Sequence, residues 1–223
     1  MEAVIWDVDG TLVDTAELHF QAWCVLAKEI GKSYTRADFA ATFGWRNPEI
    51  IPLLFGPDYS AREIEDLGRR KEVYYRAEAK KGVALLPGVR ELLDALQSAG
   101  FGQAIGSSAP RANVDLILDL NDLRRHLPVV VALEDTTRGK PDPQVFLTAA
   151  ERLGVPPNRC VVFEDAPVGV RAAKAAGMKA VGVTFVGHHS TATLEAEGAD
   201  RVVGSLREMN VEEVRRLLGG RAK

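Results

Sequence analysis

The stretch Ala3-Val4-Ile5-Trp6-Asp7-Val8-Asp9-Gly10-Thr11 decides how the rest of the chain is read. Four successive apolar residues read as a short strand buried on both faces, the pattern of a parallel sheet. The strand delivers two carboxylates, one residue apart, into a glycine turn. One such carboxylate can attack phosphorus while the other moves protons. Gly10 permits a sharp turn whose backbone N–H groups suit phosphate oxygens, which makes Gly10 and Thr11 phosphate-binding candidates. An acidic turn in which Asp caps the next segment accounts for the motif equally well.

Downstream, residues 16–82 carry helical periodicity only. Leu18, Ala22, Trp23, Leu26, Ala27 and Ile30 fall on one helix face, and Ser60 with Glu63 fits a capping box for a second long helix. Beyond Leu86 the rhythm changes to short apolar runs alternating with helices. The runs are Gly102–Ile105, Val129–Leu133, Cys160–Phe163, Ala180–Val183 and Arg201–Val203. That alternation predicts βαβ units and a doubly wound parallel sheet, an α/β core over residues 1–15 and 83–223. Residues 16–82 then form a small helical cap inserted after the first strand.

The 223 residues are 46% apolar and 26% charged with a net charge of −3, ordinary values for a folded protein. Lys and Arg are scattered, which argues against a nucleic-acid partner. No apolar run reaches membrane-spanning length, and Ala3–Trp6 is too short for a secretory signal, so a cytoplasmic protein is expected; a monomer is expected as well. Cys24 and Cys160 read as free thiols. His126, beside Arg124 and Arg125, reads as an exposed helix end. His188 and His189 read as a surface loop, with a place at the rim of the site as the alternative.

In a doubly wound sheet ligands bind beyond the carboxyl ends of the strands. Those ends carry Asp7 and Asp9, then Ser107-Ser108, then Glu164-Asp165, and a nearby loop carries Lys140 in Gly139-Lys140-Pro141-Asp142-Pro143. Adjacent acids at a strand end raise each other's pKa unless a cation relieves them, and oxygen ligands with a substrate phosphate suit Mg²⁺. A lysine fixed by glycine and proline can hold a nucleophile ionised and bind a transferring phosphoryl group. Each element has a plain reading as a cap or a turn; the convergence of all four is what points to a site.

The four motifs, in this order and spacing, resemble the haloacid dehalogenase-like superfamily of phosphohydrolases over the whole chain. The resemblance implies a Rossmann-like core with a helical cap, Mg²⁺ as cofactor and an aspartyl-phosphate intermediate. Asp7 would be the nucleophile and Asp9 the acid/base. Mg²⁺ would sit on the Asp7 carboxylate, the Asp9 carbonyl and Asp165, with Glu164 supporting that shell. Ser107, with Ser108 beside it, and Lys140 would bind phosphoryl oxygens. Dehalogenase members lack the second aspartate, so Asp9 favours phosphate chemistry.

The stretch Asp14 to Trp23 is similar to that of β-phosphoglucomutases, which implies that His19 couples cap closure to Asp9. Arg46 resembles a cap arginine that grips a distal phosphate, Lys71 falls near a cap lysine position of the same group, and Trp45 is placed to line the cap side of the pocket. The segment Ser108-Ala109-Pro110-Arg111 departs from the mutases, and the Glu134–Gly139 loop looks more like phosphatases. The reading is therefore a phosphatase for a small phosphorylated metabolite, a sugar phosphate, with a β-phosphoglucomutase as the alternative. A receiver-type phospho-aspartate signalling module is disfavoured by the cap and by Asp9.

Overall fold

The computed structural model describes residues 1–219. Six strands form one sheet: β1 (Ala3–Trp6), β2 (Gly102–Gly106), β3 (Val129–Val131), β4 (Cys160–Glu164), β5 (Lys179–Val183) and β6 (Arg201–Val203). Every pairing is parallel and the order is β3-β2-β1-β4-β5-β6. β1 lies opposite Ile105 on one side and Phe163 on the other through Trp6. The chain winds outward through β2 and β3, then returns to the far side of β1 for β4. The direction of winding therefore reverses between β1 and β4, where a crevice for ligand forms at the strand ends.

The helices of the core, numbered after the four of the insert, are α5 (Val89–Ser98), α6 (Arg111–Leu120), α7 (Gln144–Leu153), α8 (Pro167–Ala175), α9 (Thr191–Ala196) and α10 (Val211–Leu217). In α5, Val89, Leu92, Leu93 and Leu96 repeat at helical spacing and all four are buried. One face of the sheet packs Trp6, Phe163, Ile105 and Leu93; the other packs Ile5, Phe146, Val162 and Val170. Trp6 stacks on Phe163 with ring centroids 4.5 Å apart, and its indole N–H donates to Gln103 Oε1 at 3.2 Å.

The insert contains α1 (Ala16–Glu29), α2 (Arg36–Thr42), α3 (Asn47–Phe55) and α4 (Ala61–Ala79). These helices share a core of their own, centred on Trp23, Leu26, Phe39, Ile51, Phe55 and Leu67. α4 opens with the Ser60–Glu63 capping box expected from sequence. The two chain crossings between sheet and insert lie side by side. Val13 bridges Leu85, and the Leu86 N–H donates to Leu12 O at 2.9 Å.

Three local expectations are corrected. β3 stops at Val131, and Leu133–Asp135 is instead a short 3-10 turn. His126 is buried rather than exposed, with Nε2 2.6 Å from Asp94 Oδ1. His188 does not lie free on the surface; its ring packs against Phe39 and Phe43 of the insert, 5.8 and 4.8 Å between centroids. Cys24 and Cys160 are free thiols. No helix among the described residues is long and apolar enough to cross a membrane.

Candidate active site

β1 and β4 end side by side, so Asp7 and Glu164 emerge together. Lys140, on the loop before α7, reaches between them. Its Nζ donates to Asp7 Oδ1 at 2.7 Å and to Glu164 Oε1 at 2.6 Å, and all three side chains are buried. Burial would lower the Lys140 pKa, but the two carboxylates outweigh it and raise it. An ammonium carries three donors, so one remains for a ligand. The second Glu164 oxygen accepts from the Ala166 N–H at 2.7 Å. Glu164 is thus fixed at both oxygens. A Cβ on Gly169 would lie 1.8 Å from Glu164 Oε1, so only glycine admits this carboxylate.

Asp165 is next along the chain, buried, with Oδ2 lacking any partner. That oxygen sits where a Cβ on Gly10 would be, 1.9 Å away, and Gly10 has φ +82°. Gly10 therefore does two jobs: it makes a turn that other residues resist, and it clears room for Asp165. Its N–H donates to Val13 O at 2.8 Å and the Thr11 N–H to Val8 O at 3.4 Å. The turn uses these donors itself, which leaves neither aimed at a phosphate, contrary to the sequence expectation. Thr11 is wholly buried and does not line the pocket.

Asp9 has different company. Thr15 donates its hydroxyl to Asp9 Oδ1, and His19 Nε2 lies 3.3 Å from the same oxygen. Lys71 Nζ is 2.7 Å from His19 Nδ1. An ammonium only donates, so Nδ1 accepts and the proton of a neutral ring sits on Nε2, pointing at Asp9. The Tyr75 ring stacks on the imidazole at 4.0 Å and 7°. Two carboxylates one residue apart thus acquire opposite properties. Burial raises Asp7 to about 7, with Lys140 opposing and Glu164 and Asp9 adding to the rise. Burial acts the same way on Asp9, but His19, Thr15 and Lys71 outweigh it and hold it below the usual range.

Ser107 and Ser108 line the pocket as expected, with Lys140, His19, Trp45 and Lys71. The Ser107 Oγ accepts from the Ala109 N–H at 3.0 Å, which leaves its own O–H free to donate. Arg46 is the exception. It does not line the pocket; its Nη2 donates to the carbonyls of Leu133 and Thr136 at 3.1 and 3.0 Å. Its side chain also packs over Gly139, where a Cβ would lie 2.4 Å from Arg46 Cδ. The guanidinium joins the insert to the Lys140 loop instead of facing the distal end of a substrate.

Sequence reasoning missed Glu72, which lies in the pocket wall at 4% exposure. Glu72 Oε1 accepts from Lys71 Nζ at 2.9 Å and from Asn47 Nδ2 at 2.7 Å, and Oε2 accepts from Asn113 Nδ2 at 2.6 Å. Burial favours its neutral form, but Lys71 and His19 with the hydrogen bonds prevail and push it down to about 2. The signal was in α4: Leu67, Gly68, Lys71, Glu72, Tyr75 and Ala79 mark its buried face, so two charges stand at core positions.

The geometry fits a divalent cation. Asp7 and Asp165 are both raised, first by burial and then by neighbouring negative charge, and Asp165 Oδ2 is buried without a partner. The Glu164 oxygens already hold Lys140 and the Ala166 N–H, so Glu164 braces the site and is not itself a free ligand. The Asp9 carboxylate is likewise taken up by Thr15 and His19. Among the described residues no three His, Cys, Asp or Glu side chains gather as a metal cluster. Two carboxylates and a backbone carbonyl remain, a sparse set of the kind Mg²⁺ takes when waters and a phosphate oxygen complete its shell.

Residues 1–177 match the haloacid dehalogenase-like hydrolases. A phosphorylated carbohydrates phosphatase of Thermotoga maritima is 37% identical over 216 residues, 95% of this chain and 98% of that protein. A β-phosphoglucomutase of Bacillus subtilis is 37% identical over 190 residues, 82% of this chain and 83% of that protein. The crystal structure of a β-phosphoglucomutase from Clostridium difficile superposes with a TM-score of 0.86 at 26% identity, covering 98% of this chain and 97% of that one. Motif order, a sheet that reverses between Asp7 and Glu164, and these likenesses agree: the chain belongs to the haloacid dehalogenase-like hydrolase family.

Proposed function

We propose that this protein is a Mg²⁺-dependent phosphatase that hydrolyses a small phosphomonoester, a sugar phosphate, through a phosphorylated Asp7. The carrying observation is the contrast between the two motif carboxylates. Asp7 is held by Lys140 at the end of β1, and Asp9 is held away from it by Thr15 and His19. One is positioned to attack and the other to move a proton. The kinship with a phosphatase of phosphorylated carbohydrates supports the substrate class.

The steps follow from the positions. The free N–H of Lys140 and the Ser107 hydroxyl hold the phosphoryl oxygens. Asp7 attacks phosphorus in line, the bond to the leaving oxygen breaks, and Asp9, which enters this step protonated, gives that oxygen its proton and is left as a carboxylate. Asp9 then takes a proton from water, the water oxygen attacks phosphorus, and the bond to Asp7 breaks to release inorganic phosphate. The carboxylates of Asp7 and Asp165 and the carbonyl of Asp9 would hold Mg²⁺, which supplies charge neutralisation for the phosphoryl group. Lys71 and His19 keep the Asp9 carboxylate pointed and ionised between the two proton transfers.

Hydrolysis is favoured over mutase chemistry by Arg46. A mutase must hold a phosphate at each end of a sugar bisphosphate, and here the cap arginine donates to the Leu133 and Thr136 carbonyls instead. The test is incubation with Mg²⁺, β-glucose 1-phosphate, a trace of glucose 1,6-bisphosphate and, separately, a panel of sugar monophosphates. Free phosphate without net isomerisation is expected. Glucose 6-phosphate accumulating without matching phosphate would overturn the phosphatase reading.

A further inference from the structure

Glu72 has no part in the proton transfers or the phosphoryl grip, yet it is the most heavily bonded group in the insert side of the pocket. Its three partners come from three elements: Lys71 beside it on α4, Asn47 at the start of α3 and Asn113 on α6 of the core. Asn113 is itself oriented, because Arg76 Nη1 donates to its Oδ1 at 2.8 Å. An amide turned this way can present only its N–H₂ to Glu72, so the carboxylate is specified as an ionised acceptor.

The consequence is electrostatic. Five carboxylates line the pocket against two ammonium groups, a formal excess of three negative charges. One divalent cation leaves an excess of one before any substrate binds. Lys140 is held between Asp7 and Glu164, and its one free N–H serves the transferring phosphoryl group, not the tail of the substrate. Lys71 is the cation that the insert brings to the pocket wall, and Glu72 neutralises it at 2.9 Å with both side chains 5% exposed or less. A second phosphate or a carboxylate on the substrate would meet no unpaired cation there and would face Glu72 at low dielectric, where like charges repel strongly. An uncharged hydroxyl meets neither penalty, and the third N–H of Lys71 can donate to it.

We propose that Glu72 is a specificity-determining residue: by neutralising Lys71 it makes the insert side of the pocket select phosphomonoesters with uncharged, hydroxyl-bearing tails and reject those with an anionic tail. This rests on the phosphatase reading. The residue touches the substrate's surroundings through Lys71, so its mark is a change in preference, not in turnover alone.

The experiment measures kcat/KM of the full chain with Mg²⁺ on matched pairs that differ in tail charge. The pairs are glucose 6-phosphate against 6-phosphogluconate, glycerol 3-phosphate against 3-phosphoglycerate, and fructose 1-phosphate against fructose 1,6-bisphosphate. p-Nitrophenyl phosphate is the control for phosphatase chemistry; wild-type protein inert on it and on every member of the pairs would sink the phosphatase reading and this proposal with it, whereas a failure of the ratios alone sinks only this proposal. The wild type is expected to favour the neutral member on the order of tenfold or more. In Glu72→Gln that ratio narrows about tenfold, and a ratio within one variant cancels any common loss of activity. Wild-type protein that takes an anionic member as fast as its neutral partner overturns the proposal without any variant. So does an unchanged ratio in Glu72→Gln, and so does failure on every neutral member by a protein that turns over p-nitrophenyl phosphate.

Discussion

Lys140 and Lys71 are the two lysines buried among the described residues, and they enter the pocket from opposite sides. Lys140 comes from the core and sits between two carboxylates, Asp7 and Glu164. Lys71 comes from the insert and sits between one carboxylate, Glu72, and the imidazole of His19. The first lysine holds the carboxylate proposed as nucleophile; the second fixes which nitrogen of His19 carries its proton. The same side chain thus faces a proposed phosphoryl-transfer centre in one place and sets proton geometry in the other. The difference lies in the partner that the fold provides.

The comparison breaks first at Lys140. In Lys140→Ala, Asp7 and Glu164 are left buried without their cation. Turnover should vanish, and unfolding in urea should show a loss of about 3–5 kcal/mol, the cost of removing one partner of a buried pair. A variant as stable as the wild type would mean that the pair contributes nothing net and that the two carboxylates simply take up protons.

The Lys71 side gives a sharper and smaller signal through Glu72. Its folded pKa is about 2 against an ordinary 4.5, so it contributes stability that is complete above about pH 4.5. That contribution fades as pH falls toward 2, because the unfolded chain takes up the proton first. The difference is worth about 3 kcal/mol at neutral pH. Acid unfolding of Glu72→Gln, compared with the wild type, should lack this limb between pH 4.5 and 2. Parallel pH curves for the two proteins would contradict the pairing.

The smallest effect belongs to Arg46. Its guanidinium bonds two carbonyls across the gap between insert and core, at a partly exposed position. Arg46→Ala should lower kcat/KM by less than about tenfold on a monophosphate, equivalent to about 1.4 kcal/mol, the net worth of one ordinary hydrogen bond. A loss of several hundredfold would return Arg46 to the distal end of the substrate and revive the mutase reading.

These contrasts also mark what the sequence reveals and what it hides. Asp7, Glu164, Asp165 and Lys140 were legible because strand ends, a glycine turn and paired prolines fix where they must go. The doubly wound sheet was legible for a related reason: fully apolar strands alternate with amphipathic helices. Arg46 shows the limit, since the residue type was right for a phosphate but only the folded chain reveals which way it points. Gly10 and Thr11 show another, because a turn can consume its own N–H groups. Glu72 and Asn113 lie 41 residues apart and meet only when the insert rests on the core. No local pattern joins them, although a charged pair on the buried face of α4 was a visible anomaly.

The most direct test of the account is to catch phosphate on Asp7. Asp9→Asn should slow release of the phosphoryl group by roughly 10²–10⁴-fold, the usual contribution of a general base. Mixed with Mg²⁺ and p-nitrophenyl phosphate, whose leaving group needs no proton from Asp9, quenched in acid and digested, this variant should yield the peptide containing Asp7 with one phosphoryl group, lost in Asp7→Asn. An unmodified peptide from actively turning protein, or turnover that survives in Asp7→Asn, would contradict a covalent role for Asp7.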